Sequence, residues 1–373
     1  MLSRRRFLAS TVPAALLGAC GSRSAAPSAT LQPRPTFRPP AGSVLLIAGQ
    51  NALGLGGIPG QDGYLDHVPI VPAGFTCYVG LPDPPPPASN PAIPGLEDGV
   101  GVYTALPALD ASVLHLSVSW VKDGSSAIRG GVDVATQEAE QQAVLSGAQD
   151  PAIDHLAAWC AAQNRPILCR LGYEFDRPQY YDPSLYVPCY QHIVDRFRAQ
   201  NAGNVAFVFA SSNLGGATDF DQYYPGDDYV DWLGFSMWMP TKPDSVMMSE
   251  ARQRNKPVLL AETTPITYDI GQGLVTPILT GKPMALTVDQ IWQDWYEPIF
   301  AFIAANTDVV AALHYISEDW RTDPQWSTNV LFATCDSRPY ANPAMLAKWN
   351  AAIQTAPFVN ASPTLFASLD ATY

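Results

Sequence analysis

Charge is scarce in this sequence, and positive charge is scarcer still. Charged residues make up 15% of the 373, with 21 Lys and Arg against 34 Asp and Glu, for a formal charge of -13. A field of that sign repels a phosphate backbone, and with no basic stripe to offset it nucleic acid is excluded as a partner. With 47% hydrophobic residues, the body also has too much apolar material for intrinsic disorder. The apolar run from Phe7 to Ala19 is shorter than the roughly 20 residues that span a bilayer, so it is not a transmembrane helix. Cysteines number six. Setting aside Cys20 leaves Cys77, Cys160, Cys169, Cys189 and Cys335, an odd set that argues against a disulfide framework. The five histidines, His67, His115, His155, His192 and His314, form no H-E-x-x-H pair, and no Cys-x-x-Cys cluster accompanies them, so neither a metal nor any cofactor is expected. No G-x-S-x-G elbow offers a serine nucleophile. Asp227 and Asp228 follow Pro225-Gly226 in a turn and read as solvated or strand-capping residues. What the chain has in quantity is proline, 35, and tryptophan, 9: stiff loops, and flat rings for a core or a ligand.

The first residues read as an address. Ser3-Arg4-Arg5-Arg6-Phe7-Leu8 precedes the short apolar run and resembles a twin-arginine export signal, and Leu17-Gly18-Ala19-Cys20 resembles a lipobox whose cysteine is acylated. Residues 1–19 are therefore expected to be a signal peptide, with Cys20 the lipidation site. Residues 20–42, rich in Ser, Ala, Pro and Arg, are expected to be a flexible linker, and residues 43–373 a single domain. The expected location is the cell envelope, with membrane contact through the lipid anchor only, and the chain a monomer.

From Ser43 onward, eight short apolar runs recur: Val44 to Asn51, Thr76 to Leu81, Val113 to Trp120, Pro166 to Glu174, Val205 to Asn213, Val230 to Trp238, Pro257 to Thr263 and Val309 to Ser317. Helix-length stretches separate them, among them Ala152 to Asn164 and Pro188 to Gln200, with apolar residues at helical spacing. Continuous apolar strands are buried on both faces, as in a parallel sheet covered by helices. An α/β fold of eight such units is a (β/α)₈ TIM barrel. The alternative is an open doubly wound sheet, but Gly54 and Gly56 begin a dinucleotide turn that Pro59 leaves incomplete. Pro82 to Pro94 must be an extended loop, and the order of the second and third strands is the least constrained part of the topology.

In such a barrel the chemistry gathers at the carboxyl ends of the strands. The fourth run ends Arg170-Leu171-Gly172-Tyr173-Glu174 and the seventh ends Leu260-Ala261-Glu262. Two glutamates facing each other across the barrel mouth are what cleavage of a glycosidic bond requires: one gives a proton and the other attacks. A single strand-end Glu is more often in an ordinary ion pair; the pairing, with Arg170 able to hold a carboxylate ionised, favours the catalytic reading. Trp120, Trp238, Tyr315 and Trp320 stand at or just after strand ends, and they are candidate platforms for sugar C–H faces or else core residues. Asn213 is a candidate for sugar hydroxyls or a loop cap. His314 points into the barrel or is a satisfied core histidine.

Three segments carry a resemblance. Cys169-Arg170-Leu171-Gly172-Tyr173-Glu174-Phe175-Asp176 resembles the acid/base segment of glycoside hydrolase family 26, the β-mannanase family of a retaining clan of (β/α)₈ barrels. Tyr224 to Phe235 is similar to that family's run into the sixth strand, and Lys256 to Glu262 to its nucleophile strand. The resemblance covers about residues 165 to 263. It implies Glu174 as acid/base, Glu262 as nucleophile supported by Arg170, and a carbohydrate substrate. Three positions depart from it: Tyr173 where the family usually has His, Asp176 where it often has Asn, and Trp238 where the sixth strand usually ends in Tyr. Mannan therefore does not follow from the fold, and another β-linked glycan is open. A glycan-binding barrel without catalysis, or a scaffold lipoprotein, are the competing readings.

Overall fold

The computed structural model describes residues 35–50, 52–58, 60, 62–81, 106–121, 134–177, 180, 182–214, 219–323 and 326–369. The export signal, Cys20, Pro59 and the Pro82 to Pro94 loop lie outside the described residues.

Eight parallel strands follow one another around a closed sheet: β1 (Val44–Ala48), β2 (Gly74–Gly80), β3 (Val113–Ser119), β4 (Ile167–Leu171), β5 (Val205–Ser211), β6 (Trp232–Ser236), β7 (Val258–Thr263) and β8 (Val310–Tyr315). Neighbours in sequence are neighbours in space, β2 and β3 included, and closure comes from β8 pairing with β1 through Leu45–Ala312 to Ala48–Tyr315. The fold is thus the (β/α)₈ barrel, not the open sheet. Each strand lies largely inside the run that predicts it, because burial on both faces demands apolar residues almost throughout: β1 (VLLIA) and β5 (VAFVFAS) are buried along their whole length.

The helices shield the outer face. Helix α1 (Val134–Leu145), α2 (Asp150–Ala161) and α3 (Pro183–Ala199) are followed by α4 (Ser245–Arg254), α5 (Glu297–Ala305) and α6 (Pro343–Ile353). On α2 the buried residues are Ala152, Ile153, Leu156, Ala157 and Cys160, the three- and four-residue spacing of one helical face. Helix α3 starts earlier than its apolar spacing suggests. Asp182 accepts from the Ser184 N–H and Pro183 supplies the preset first φ, a stronger start than Pro188, which lies inside the helix. No helix among the described residues is long and apolar enough to cross a membrane.

The barrel interior is divided. Its lower part is apolar, with Leu45, Val113, Leu168, Ala206, Val208, Trp232 and Leu259 in one cluster, and it is plugged by Leu365 and Leu369 with Phe37 and Phe366 against them. Thr36 to Arg38 fall within the predicted linker, yet they are packed: the Trp232 indole donates to the Thr36 carbonyl at 2.6 Å and Arg38 to that of Asp308 at 2.7 Å. The ordered body therefore begins before Ser43. The upper interior is polar, with Thr76, His115, Ser117, Arg170, Ser236 and His314 all buried. All five described cysteines are buried free thiols.

Chain exit from β4 depends on Gly172. Its φ is +55°, and a Cβ there would sit 2.2 Å from the Trp120 ring. Gly172→Ala combines left-handed strain with overpacking, each roughly 1–3 kcal/mol, and is expected to lower the thermal unfolding midpoint; an unchanged midpoint would show that Trp120 can yield.

Candidate active site

Glu262 reaches the barrel mouth through an irregularity. Leu259 and Ala261 belong to the interior cluster, so strict alternation would turn Glu262 outward. Instead the ladder slips: β6 pairs Phe235 with Leu260 and then Ser236 with Glu262, and β8 pairs Leu313 with Leu260 and then Tyr315 with Thr263. The extra residue in β7 is a bulge that re-aims the glutamate. The carbonyl that it frees, that of Ala261, is taken by the His314 ring, whose other nitrogen faces the Gly49 carbonyl. His314 thus points into the barrel, between two carbonyls of which a neutral ring donates to one. Its ring meets that of His115 edge-on at 5.1 Å, and burial, above all, holds both imidazoles below their ordinary pKa.

Arg170 is fully buried and fixed on several sides. Its Nη2 donates to Glu262 Oε1, and its Nε donates to Ser117 Oγ at 3.1 Å. Its guanidinium lies 4.6 Å from the centre of the Tyr173 ring and 5.9 Å from that of Tyr78, within reach of cation–π attraction. Tyr78 Oη donates to the same Glu262 Oε1 at 3.1 Å.

Glu174 arrives from the turn after β4. Its own φ is +57°, a left-handed conformation rare for a residue with a side chain. Ser236, the register partner of Glu262, donates to Glu174 Oε1 at 3.3 Å, and Arg177 Nε lies 4.0 Å from Oε2. Both glutamate side chains are nearly out of water, at 17% and 11% exposure. Burial first, and the charge of Glu262 second, push the Glu174 carboxyl up to about 8, against the opposing pull of Arg170 and Arg177.

The remaining predicted residues divide. Trp120 is wholly buried beneath the rings of Tyr180, Tyr186 and Tyr190, and Tyr315 is buried against Trp349 with its hydroxyl bonded to Tyr296 and the Ser337 carbonyl. Neither keeps a face for a sugar, because helices and loops cover these rings. Trp238 and Trp320 belong to a cluster with Ile316 and Phe332, and their indole N–H groups are buried without a hydrogen-bond partner. Asn213 takes the loop-cap role: it has φ +53° and donates to the Lys242 carbonyl. Asp176 accepts from Ser212 N at 2.6 Å and Oγ at 3.0 Å, bracing the β4 loop against that of β5. Sequence reasoning passes over Tyr78 and Ser236. Their signal was weak: each is a hydroxyl at an inward position of a predicted strand. Among the described residues no group of three or more His, Cys, Asp or Glu could hold a metal.

Fold and site together define a glycoside hydrolase built on a (β/α)₈ barrel. The glycosyl hydrolase family 26 model matches residues 137–309, a span holding both glutamates. Over 97% of its length it is 27% identical to the β-1,3-xylanase TXYA of a Vibrio species, covering 74% of that protein, and 27% identical to a β-1,3-xylanase of an Alcaligenes species, covering 73% of it. Among solved structures, an endo-β-1,4-mannanase from Cellulomonas fimi superposes with a TM-score of 0.59 at 17% identity, over 89% of this chain and 76% of that one. A family 26 β-mannanase from Bacteroides ovatus gives 0.56 at 12%, over 86% and 91%. At those identities the likeness is one of fold.

The raised Glu174 carboxyl sets a stability consequence. Its ordinary value is 4.5 and its folded value about 8, so its contribution is complete below pH 4.5 and is lost as pH rises through about 8. Glu174→Gln removes that loss, and thermal scans are expected to show the variant melting above the wild type at pH 8 and level with it near pH 4. Equal midpoints at pH 8 would contradict the burial argument.

Proposed function

We propose that this protein cleaves β-linked polysaccharide with retention, using Glu262 as nucleophile and Glu174 as acid/base. The observation that carries this reading is the opposition of the two carboxyls: one bonded to a buried arginine, the other kept protonated near neutrality beside it. That division is what a nucleophile and a proton donor require. In the first step Glu262 attacks the anomeric carbon, the carbon–oxygen bond to the leaving sugar breaks, and Glu174 gives its proton to the departing oxygen. In the second, Glu174 takes a proton from water, the water oxygen bonds to the anomeric carbon, and the ester to Glu262 breaks. Retention needs carboxyls about 5–5.5 Å apart. The Ser236 link, which joins Glu174 to the register partner of Glu262, supports such closeness.

β-1,3-Xylan is the first substrate to test, since the two relatives that match across nearly the whole chain are named β-1,3-xylanases. The departures at Tyr173, Asp176 and Trp238 accord with a substrate other than mannan. A purely glycan-binding barrel would have no need of the Arg170 and Ser236 supports around two intact carboxyls. The lipobox and twin-arginine pattern support export and anchoring at Cys20.

Reducing-sugar release from β-1,3-xylan, β-1,4-xylan, mannan and glucans tests the reading. Glu262→Gln is expected to abolish release. Glu174→Gln should lower it by roughly 10²-fold or more and remove the fall in kcat/KM that the wild type shows as pH rises through about 8. Full activity in Glu262→Gln would sink the assignment.

A further inference from the structure

Glu262 has two oxygens, and the structure treats them differently. Oε1 receives both donors, Arg170 Nη2 and Tyr78 Oη, whereas Oε2 has no hydrogen-bond partner among the described residues. Two donors fixed on one oxygen set the rotation of the carboxylate and leave the lone pairs of the other for the substrate. Tyr78 is itself held in place. It stands on β2, whose ladder with β3 runs unbroken from Gly74 to Gly80, and its ring meets that of Tyr173 edge-on at 5.8 Å. Trp238, at the end of β6, makes no bond to Glu262, so the phenol on β2 is the second donor beside the arginine.

Resting on the two-carboxylate reading above, we propose that Tyr78 is a positioning residue that pins Oε1 of Glu262 and thereby makes Oε2 the attacking oxygen. The bond to the anomeric carbon then forms from Oε2, while Oε1 becomes the ester carbonyl and keeps the Tyr78 hydroxyl as its donor. The proton stays on Tyr78 throughout. Burial, followed by the charge of Glu262, raises its pKa well above the ordinary tyrosine value, in keeping with a donor that does not ionise. The phenol therefore serves attack and release alike, by orientation and not by proton transfer.

Tyr78→Phe keeps the ring, its contacts with Tyr173 and Arg170, and the barrel packing, and it removes one hydrogen bond to a charged group. Such a bond is worth a rate factor of roughly ten to a hundred. The expected result on β-1,3-xylan is a kcat lower by that factor with KM changed less than about threefold, and a thermal midpoint close to that of the wild type. The second measurement is the rate of covalent labelling by 2,4-dinitrophenyl 2-deoxy-2-fluoro-β-1,3-xylobioside, followed by intact mass. Its activated leaving group needs no proton from Glu174, so the rate reads the nucleophile alone and is expected to fall by a similar factor. Labelling of Tyr78→Phe as fast as the wild type would overturn the inference while leaving the catalytic pair standing. A wild type that cleaves xylan without ever being labelled would overturn the retaining mechanism, and this inference with it. A change confined to the thermal midpoint would reduce Tyr78 to a packing residue.

Discussion

A guanidinium with no exposure to water sits in the upper barrel, and the site is arranged around its need for a counter-charge. An unpaired buried charge costs several kcal/mol, so Arg170 requires Glu262, and every nearby group accords with keeping the two together. Ser117 takes the Nε, two aromatic rings flank the planar cation, and the bulge in β7 brings the carboxylate inward to meet it. The pair then acts on its neighbour. Because Glu174 is buried and, second, has negative charge fixed beside it, that carboxyl holds its proton at a pH where an exposed glutamate would lose it. The structure carries the cost locally, in a carboxyl kept from ionising and a left-handed glutamate backbone, and the covered barrel beneath supports it.

Much of this was legible from the chain. The eight strands announce themselves because burial on both faces leaves little room for polar residues, and Arg170, Glu174 and Glu262 stand out as charges interrupting or ending such runs. What stayed hidden was long-range. Tyr78 finds its partner 184 positions away, and nothing around residue 78 signals it. The bulge at Ala261 is equally invisible, since alternation counted from Leu259 points Glu262 the wrong way and only the ladder register of two neighbouring strands reveals the slip. The aromatics mislead for a third reason. Sequence places a ring along the strand axis but does not say whether it faces the mouth or the helices, and Trp120 and Tyr315 fell on the covered side.

The three departures from the family pattern also make sense as a set. Tyr173 lays its ring over the arginine, and Asp176 turns away from the mouth to tie two loops together through Ser212. Trp238 joins an aromatic cluster with its indole N–H buried and unpartnered. The two carboxyls and their cation stand where the resemblance assigns them while the surrounding wall departs from it, a division that barrels allow because loops vary independently of strands.

Thr36 to Arg38 and Leu365 to Leu369, near the two limits of the described residues, pack beneath the barrel, on the side away from the carboxyls. Both segments are thus held below the floor, at the opposite end of the barrel from the carboxyls. Force applied between Phe37 and Leu369 would act first on the apolar plug, and the ladders that hold the two glutamates would feel it last.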